Sequence, residues 1–195
     1  RPFPADLGRP AVIAACVVVI ALVAGALVVP GVFDRSDPSA LPFAATATVL
    51  AHREPHVPLT PARVGAMLVC MVAARTSAMA FNRYVDRDVD EKNPRTKERP
   101  IQAGRVAARE ALALTVASGL VFLLSAATLG VWPAVLSVPV LLVLLGYSLA
   151  KRFTWAAHAW LGLALSLAPG GAWIAMGAKP GLGIVLVMLG VVTWL

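Results

Sequence analysis

The fold is decided by the stretch ALALTVASGLVFLLSAATLGVWPAVLSVPVLLVLLGYSLA, residues 111–150. It runs for 40 residues without a charged side chain, and Gly130 and Val131 separate its two halves. About 20 predominantly apolar residues in a helix cross the hydrocarbon core of a bilayer. The stretch therefore predicts two membrane-spanning helices joined by a short turn, which together form a helical hairpin.

The rest of the chain has the same character. Hydrophobic residues make up 59% of the sequence and charged residues 14%, whereas a soluble domain carries about 25% charged residues. This composition excludes a disordered chain and argues against a soluble domain. Further apolar segments are found at residues 11–29, 40–51, 62–81, 155–177 and 183–195. We predict an all-α, polytopic transmembrane helical bundle, with six or seven helices present of a larger bundle.

Positive charge is concentrated in one loop between the predicted spans. The formal net charge is +7, and eight of the 17 Lys and Arg residues lie between Arg83 and Arg109. Cytoplasmic loops of membrane proteins are enriched in Lys and Arg, so we expect this loop to face the cytoplasm and expect no nucleic-acid partner. The hairpin returns the chain to the same side, where Lys151 and Arg152 follow it.

The acidic residues of the same region form a pattern on a helix. Asn82, Asp86 and Asp90 are spaced four residues apart, and each step of four rotates only about 40° around a helix. Their oxygens therefore line one stripe of roughly 12 Å, and such hard oxygen donors suit Mg²⁺ that shares its remaining positions with phosphate. The basic residues that surround these acids are Arg83, Arg87, Lys92, Arg95, Lys97 and Arg99.

Three functional interpretations of this charged segment are open, besides a plain juxtamembrane helix without a function of its own. It is a diphosphate site of an enzyme, a charged loop of a transporter or channel, or part of a non-catalytic membrane subunit. A transporter would place ionisable groups at membrane depth in several spans, but no carboxylate occurs in residues 111–195. A plain juxtamembrane helix with solvated charges would also fit Asp88 and Lys92, which are four residues apart.

The motif Asn82-x-x-x-Asp86-x-x-x-Asp90, with Arg99-Pro100 after it, resembles the first aspartate-rich motif of the UbiA superfamily of intramembrane prenyltransferases. The blocks that resemble its 4-hydroxybenzoate polyprenyltransferase branch are residues 40–44 (ALPFA), 73–83 (AARTSAMAFNR), 147–154 (YSLAKRFT) and 167–175 (LAPGGAWIA). The resemblance covers residues 40–195.

The resemblance implies Mg²⁺-dependent transfer of a polyprenyl group from a polyprenyl diphosphate to a small aromatic acid in quinone biosynthesis, at the cytoplasmic side of a bacterial inner membrane. Other branches use naphthoquinone, homogentisate or haem precursors and stay as alternatives. The implied metal ligands are Asn82, Asp86 and Asp90. The implied catalytic residues are Asp86, Asp90 and Lys151, and the implied substrate-binding residues are Arg75, Asn82, Arg95, Tyr147 and Arg152. For Arg75, which lies within an apolar segment, a structural ion pair is the alternative.

Two regions depart from the family pattern. Residues 1–39 hold an apolar segment and a polar break that match nothing in the family, and residues 40–195 lack its second aspartate-rich motif. We therefore expect residues 40–195 to form an incomplete prenyltransferase transmembrane domain. Two-metal sites stabilise charge from both sides, so we expect the 195-residue chain to be inactive or nearly so by itself.

The orientation can be tested by cysteine labelling in intact cells. Because one hairpin joins the two basic sites, single cysteines at Gln102 and Thr154 should both resist a membrane-impermeant thiol reagent and react after permeabilisation. Labelling of one site but not the other would contradict the predicted hairpin. Labelling of both sites would show that the basic loop faces the outside of the cell.

Overall fold

The computed structural model describes residues 41–53, 60–96, 99–155 and 157–194, and these ranges contain six α-helices and no strand. The helices are α1 (Leu41–His52), α2 (Pro61–Lys92), α3 (Ala108–Leu129), α4 (Val131–Ala150), α5 (Ala157–Met176) and α6 (Leu182–Trp194). Four of them, α2 to α5, are long and apolar enough to cross a membrane. The predicted all-α bundle is confirmed, and the predicted span at residues 11–29 lies outside the described residues.

Helix α2 is longer than a bilayer crossing requires. Thr60 caps its start, where its Oγ1 accepts a hydrogen bond from the Arg63 backbone N–H at 3.3 Å, and Pro61 occupies the first turn. It ends where Asn93 adopts an extended conformation before Pro94, as residues before proline prefer. The 32 residues span about 48 Å, against roughly 30 Å for the hydrocarbon core. The last turns of α2 therefore extend beyond the core and carry the polar stripe.

Small residues bring α2 and α3 into close contact. The Ser77 hydroxyl of α2 donates to the Thr115 carbonyl of α3 at 2.9 Å. A Cβ added at Gly119 would lie 3.4 Å from both Ser77 Oγ and Leu141 Cδ2. Small and hydroxyl-bearing residues allow this approach of helices in a membrane, and they hold α2, α3 and α4 together.

Helix α5 connects the other elements of the bundle. It packs on α4, where the Trp160 indole N–H donates to the Val143 carbonyl at 2.9 Å. On its other side it forms a buried core with α1, α6 and the turn before α6, and the residues of this core are Ala44, Ala47, Ala51, Ala172, Trp173, Met176, Ala178 and Ile184. At the far end of the bundle, Arg63 Nη1 donates to the Met176 carbonyl at 2.8 Å, which ties the start of α2 to the end of α5.

The C-terminal ends of α2 and α4 meet at one end of the bundle. Lys151, directly after α4, forms an ion pair with Asp86 in the last turns of α2. The two basic sites therefore lie at the same end, as the hairpin predicted. That this end faces the cytoplasm stays a prediction.

The loop between α2 and α3 folds back on the end of α2. Arg99 Nη1 donates to both carboxylate oxygens of Asp90, at 2.7 and 2.6 Å. Thr96 Oγ1 donates to the Asp90 carbonyl at 2.8 Å, and Gln102 Nε2 donates to the Arg87 carbonyl at 3.0 Å. The described part of the polar loop is therefore fixed on α2.

Removal of the Arg99 side chain should release this loop. We expect Arg99→Met to accelerate backbone amide exchange in residues 99–106 by about tenfold or more, since hydrogen bonds to charged groups contribute about 1.5–3 kcal/mol. Hydrogen–deuterium exchange with mass spectrometry measures this effect. Arg95→Met, at an exposed position of the same loop, is the matched control. Equal exchange in the two variants would show that Arg99 does not hold the loop.

Candidate functional site

Two buried carboxylates form the centre of the candidate site. The side chains of Asp86 and Asp90 are only 11% and 8% exposed, whereas that of Asp88, between them in sequence, is 74% exposed. Asp86 and Asp90 thus lie on the face of α2 that turns toward the protein, and Asp88 lies on the face turned away from it. A buried carboxylate is costly unless it is paired and hydrogen-bonded, so each of the two needs a cation.

The cation at Asp86 comes from the end of α4. Lys151 Nζ donates to Asp86 Oδ2 and to Asn82 Oδ1, the latter at 2.5 Å. It therefore bridges two side chains that are one helical turn apart on α2. Arg152 follows it, with Nη2 donating to the Val85 carbonyl and lying 3.8 Å from Asp86 Oδ1. Both side chains project from the C-terminal end of α4, where the helix dipole also favours positive charge.

The cation at Asp90 comes from the loop after α2 and is Arg99. From the sequence, Arg95 was predicted to bind substrate, and Arg99 was named only among the basic residues that surround the acids. In the structure Arg95 is exposed, and no ion pair between described residues joins it to the stripe. Arg95 lies within the turn that follows Asn93, whereas Arg99 comes after the chain has turned back. The Arg99-Pro100 pair, which follows the motif, was the sequence feature that could have indicated Arg99 as a site residue.

Tyr147 and Arg75 lie on the same two helices as the site. Tyr147 is partly buried one turn before Lys151, and its carbonyl accepts the Lys151 backbone N–H at 3.2 Å. Arg75 is partly buried in α2, seven residues before Asn82. Seven residues are about two turns, or roughly 10 Å along the axis, so Arg75 lies on the side of α2 that carries the stripe but deeper in the bundle. The substrate contacts of both residues stay predictions.

The site as a whole has a surplus of positive charge. Two carboxylates, Asp86 and Asp90, are in contact with three cations, Lys151, Arg152 and Arg99. The described residues contain no cluster of three or more Asp, Glu, His or Cys side chains that could enclose a metal ion by themselves. The arrangement suits an anionic ligand that brings oxygen atoms of its own.

Several curated proteins are similar to part of this chain. A 4-hydroxybenzoate octaprenyltransferase of Dechloromonas aromatica is 39% identical over 97 residues, which are 48% of this chain and 32% of that protein. One of Paracidovorax citrulli is 34% identical over 128 residues, 63% of this chain and 42% of that protein. The matches thus span about a third to two fifths of the length of these curated relatives.

One solved structure has the same fold. It is the apo structure of a UbiA homologue from Aeropyrum pernix K1, which superimposes with a TM-score of 0.70 at 34% identity, over 80% of this chain and 58% of that one. Residues 39–195 also match the family described as the UbiA prenyltransferase family. The chain is an integral membrane protein, since α2 to α5 are able to cross a membrane. Because the family match covers most of its length, the chain belongs to the UbiA prenyltransferase family.

Proposed function

We propose that this chain carries the diphosphate-binding site of an intramembrane aromatic prenyltransferase. The reaction transfers a polyprenyl group from polyprenyl diphosphate to a small aromatic acid of the 4-hydroxybenzoate type, in quinone biosynthesis. The observation that carries the proposal is the cluster of Asp86 and Asp90 with Lys151, Arg152 and Arg99 at one end of four membrane-crossing helices. The curated relatives named above favour the 4-hydroxybenzoate branch over the alternatives.

Asn82, Asp86 and Asp90 fit a magnesium ion by the chemistry of their donor atoms. Two carboxylates and an amide are the hard oxygen ligands that Mg²⁺ accepts, and they are too few to complete its shell, so water and diphosphate oxygens would take the other positions. When bound, the ion would supply charge neutralisation at the departing diphosphate. This assignment requires that Lys151 and Arg99, which are now in contact with Asp86 and Asp90, turn to the diphosphate.

The chain's own residues stabilise the leaving group. As the bond between the allylic carbon and the diphosphate oxygen breaks, negative charge increases on the diphosphate, and the cations of Lys151, Arg152 and Arg99 offset it from the α4 end and the loop. Fixed charges aimed at developing charge are a large source of rate acceleration. The electron-rich ring of the acceptor then attacks the allylic cation, and the proton leaves the ring afterwards.

The position of the site fits an amphipathic donor. The stripe begins at Asn82, about 31 Å along α2 from Pro61, which is the thickness of a hydrocarbon core. The diphosphate would lie at the membrane surface, and the prenyl chain would extend into the apolar bundle. We place this surface on the cytoplasmic side of a bacterial inner membrane, because it carries the basic loop.

Substitution of the acids tests the proposal through Mg²⁺-dependent binding of farnesyl diphosphate. We expect Asp86→Ala to abolish binding and Asp90→Ala to weaken it by about tenfold, the usual cost of a lost charged contact. Asp88→Ala, which removes an exposed acid from the same helix, is the matched control and should bind within about twofold of wild type, as surface substitutions do. Isothermal titration calorimetry in detergent measures all three. Equal losses of affinity in all three variants would contradict the stripe. Unchanged binding in Asp86→Ala would show that Asp86 is not a metal ligand.

A further inference from the structure

Lys151 occupies the position between two oxygens of the stripe. Its Nζ contacts Asn82 Oδ1 and Asp86 Oδ2 at once, and these side chains are one turn apart on the same face of α2. We call the place between these two oxygens the Asn82–Asp86 position. A cation that binds both side chains must lie there, and in this structure the cation is an ammonium group of the protein itself.

We propose that Lys151 is an exchangeable internal cation, which holds the Asn82–Asp86 position in the metal-free protein and leaves it when a divalent cation and a diphosphate bind together. The inference rests on the proposed function, because it takes Asn82 and Asp86 as metal ligands. It adds that the metal and the diphosphate bind cooperatively, and that Lys151 is the residue that couples them.

Lys151 and a divalent cation compete for the same buried carboxylate. Asp86 is buried, and a buried carboxylate without a cation is strongly unfavourable. Lys151 neutralises it when no metal is bound. A divalent cation at the same position would meet the ammonium group at close range, where like charges repel strongly at the effective dielectric of a protein. The two cations therefore exclude each other.

The Lys151 side chain can move independently of its backbone. Lysine carries its charge on a flexible stem of four carbons, so the ammonium group can move while the backbone stays in place. The backbone at this point is held by Arg152, whose Nη2 donates to the Val85 carbonyl and links the end of α4 to α2 independently of Lys151. Lys151 can therefore leave Asp86 without separation of the two helices.

Cooperativity follows from these two facts. A metal ion that binds alone must displace Lys151 and leaves the ammonium group without its two acceptors. A diphosphate bound next to the metal offers oxygens to the displaced ammonium group, so the metal binds more tightly when diphosphate is present. By thermodynamic linkage, the diphosphate gains the same factor from the metal.

Metal binding to the Lys151→Met variant tests the exchange without a measurement of catalysis. Mn²⁺ is titrated into the chain in nanodiscs of zwitterionic lipid, with and without inorganic pyrophosphate, and free Mn²⁺ is measured by electron paramagnetic resonance. We expect Lys151→Met to bind Mn²⁺ alone about tenfold more tightly than wild type, within the usual range of coupling between sites. We also expect pyrophosphate to increase Mn²⁺ affinity much less in this variant than in wild type.

Three further variants complete the test. Lys179→Met removes an exposed lysine from the turn between α5 and α6 and should leave Mn²⁺ affinity unchanged. Addition of Asp86→Asn to Lys151→Met should abolish the gain, which assigns it to the Asn82–Asp86 position. Should Lys151→Met fail to fold, Lys151→Gln, which is neutral and can still donate to Asn82, carries the same expectation.

Each outcome distinguishes the inference from the function on which it rests. Unchanged or weaker binding of Mn²⁺ alone to the Lys151→Met variant, with intact Mn²⁺–pyrophosphate binding by wild type, would overturn the exchange and leave the proposed function in place. Absence of Mn²⁺–pyrophosphate binding by wild type would overturn both.

Discussion

The buried carboxylates of α2 impose the constraint on which the rest of the site depends. Asp86 and Asp90 lie on the inner face of a helix that leaves the membrane, where burial of a carboxylate is costly unless a cation pairs with it. Both cations come from elsewhere in the chain, Lys151 from the end of α4 and Arg99 from the loop before α3. The two ion pairs thus fix the arrangement of three segments around one face of α2.

The length of α2 relative to the membrane determines where these ion pairs lie. Helix α2 is long enough to cross the hydrocarbon core and continue for about three turns beyond it, so the carboxylates sit where charged groups are tolerated. The hairpin of α3 and α4 then returns the chain to the same end of the bundle, which allows Lys151 to reach Asp86. At the opposite end, Arg63 binds the Met176 carbonyl and keeps α2 aligned with α5.

Local patterns predicted much of this structure. The charge-free hairpin, the continuation of α2 past Asn82 and its end before Pro94 follow from hydropathy, helix periodicity and the restriction that proline places on its neighbour. The common face of Asp86 and Asp90 follows from their spacing alone. The helical bundle was predicted from hydropathy, and the membership of the family was predicted from the resemblance of the motif blocks to those of the UbiA superfamily.

The contacts within the site could not be predicted from such patterns. Whether Arg95 or Arg99 meets Asp90 depends on the path of the loop, which is set by the Thr96 and Gln102 hydrogen bonds to the backbone of α2. The sequence predicted that Lys151 and the stripe share one end of the bundle, and the contact with both Asn82 and Asp86 depends on the packing of α4 against α2. The predicted segment at residues 11–29 lies outside the described residues.

We expect Lys151 and Arg99 to exchange their carboxylates on the α2 stripe for a diphosphate when a divalent cation binds. A crystal structure of the protein with Mn²⁺ and pyrophosphate tests it most directly, because the anomalous signal of Mn²⁺ locates the ion independently of the refinement. The account predicts an anomalous peak in contact with Asn82 and Asp86, with Lys151 Nζ moved to the pyrophosphate. A peak elsewhere, with Lys151 still bound to Asp86, would contradict it.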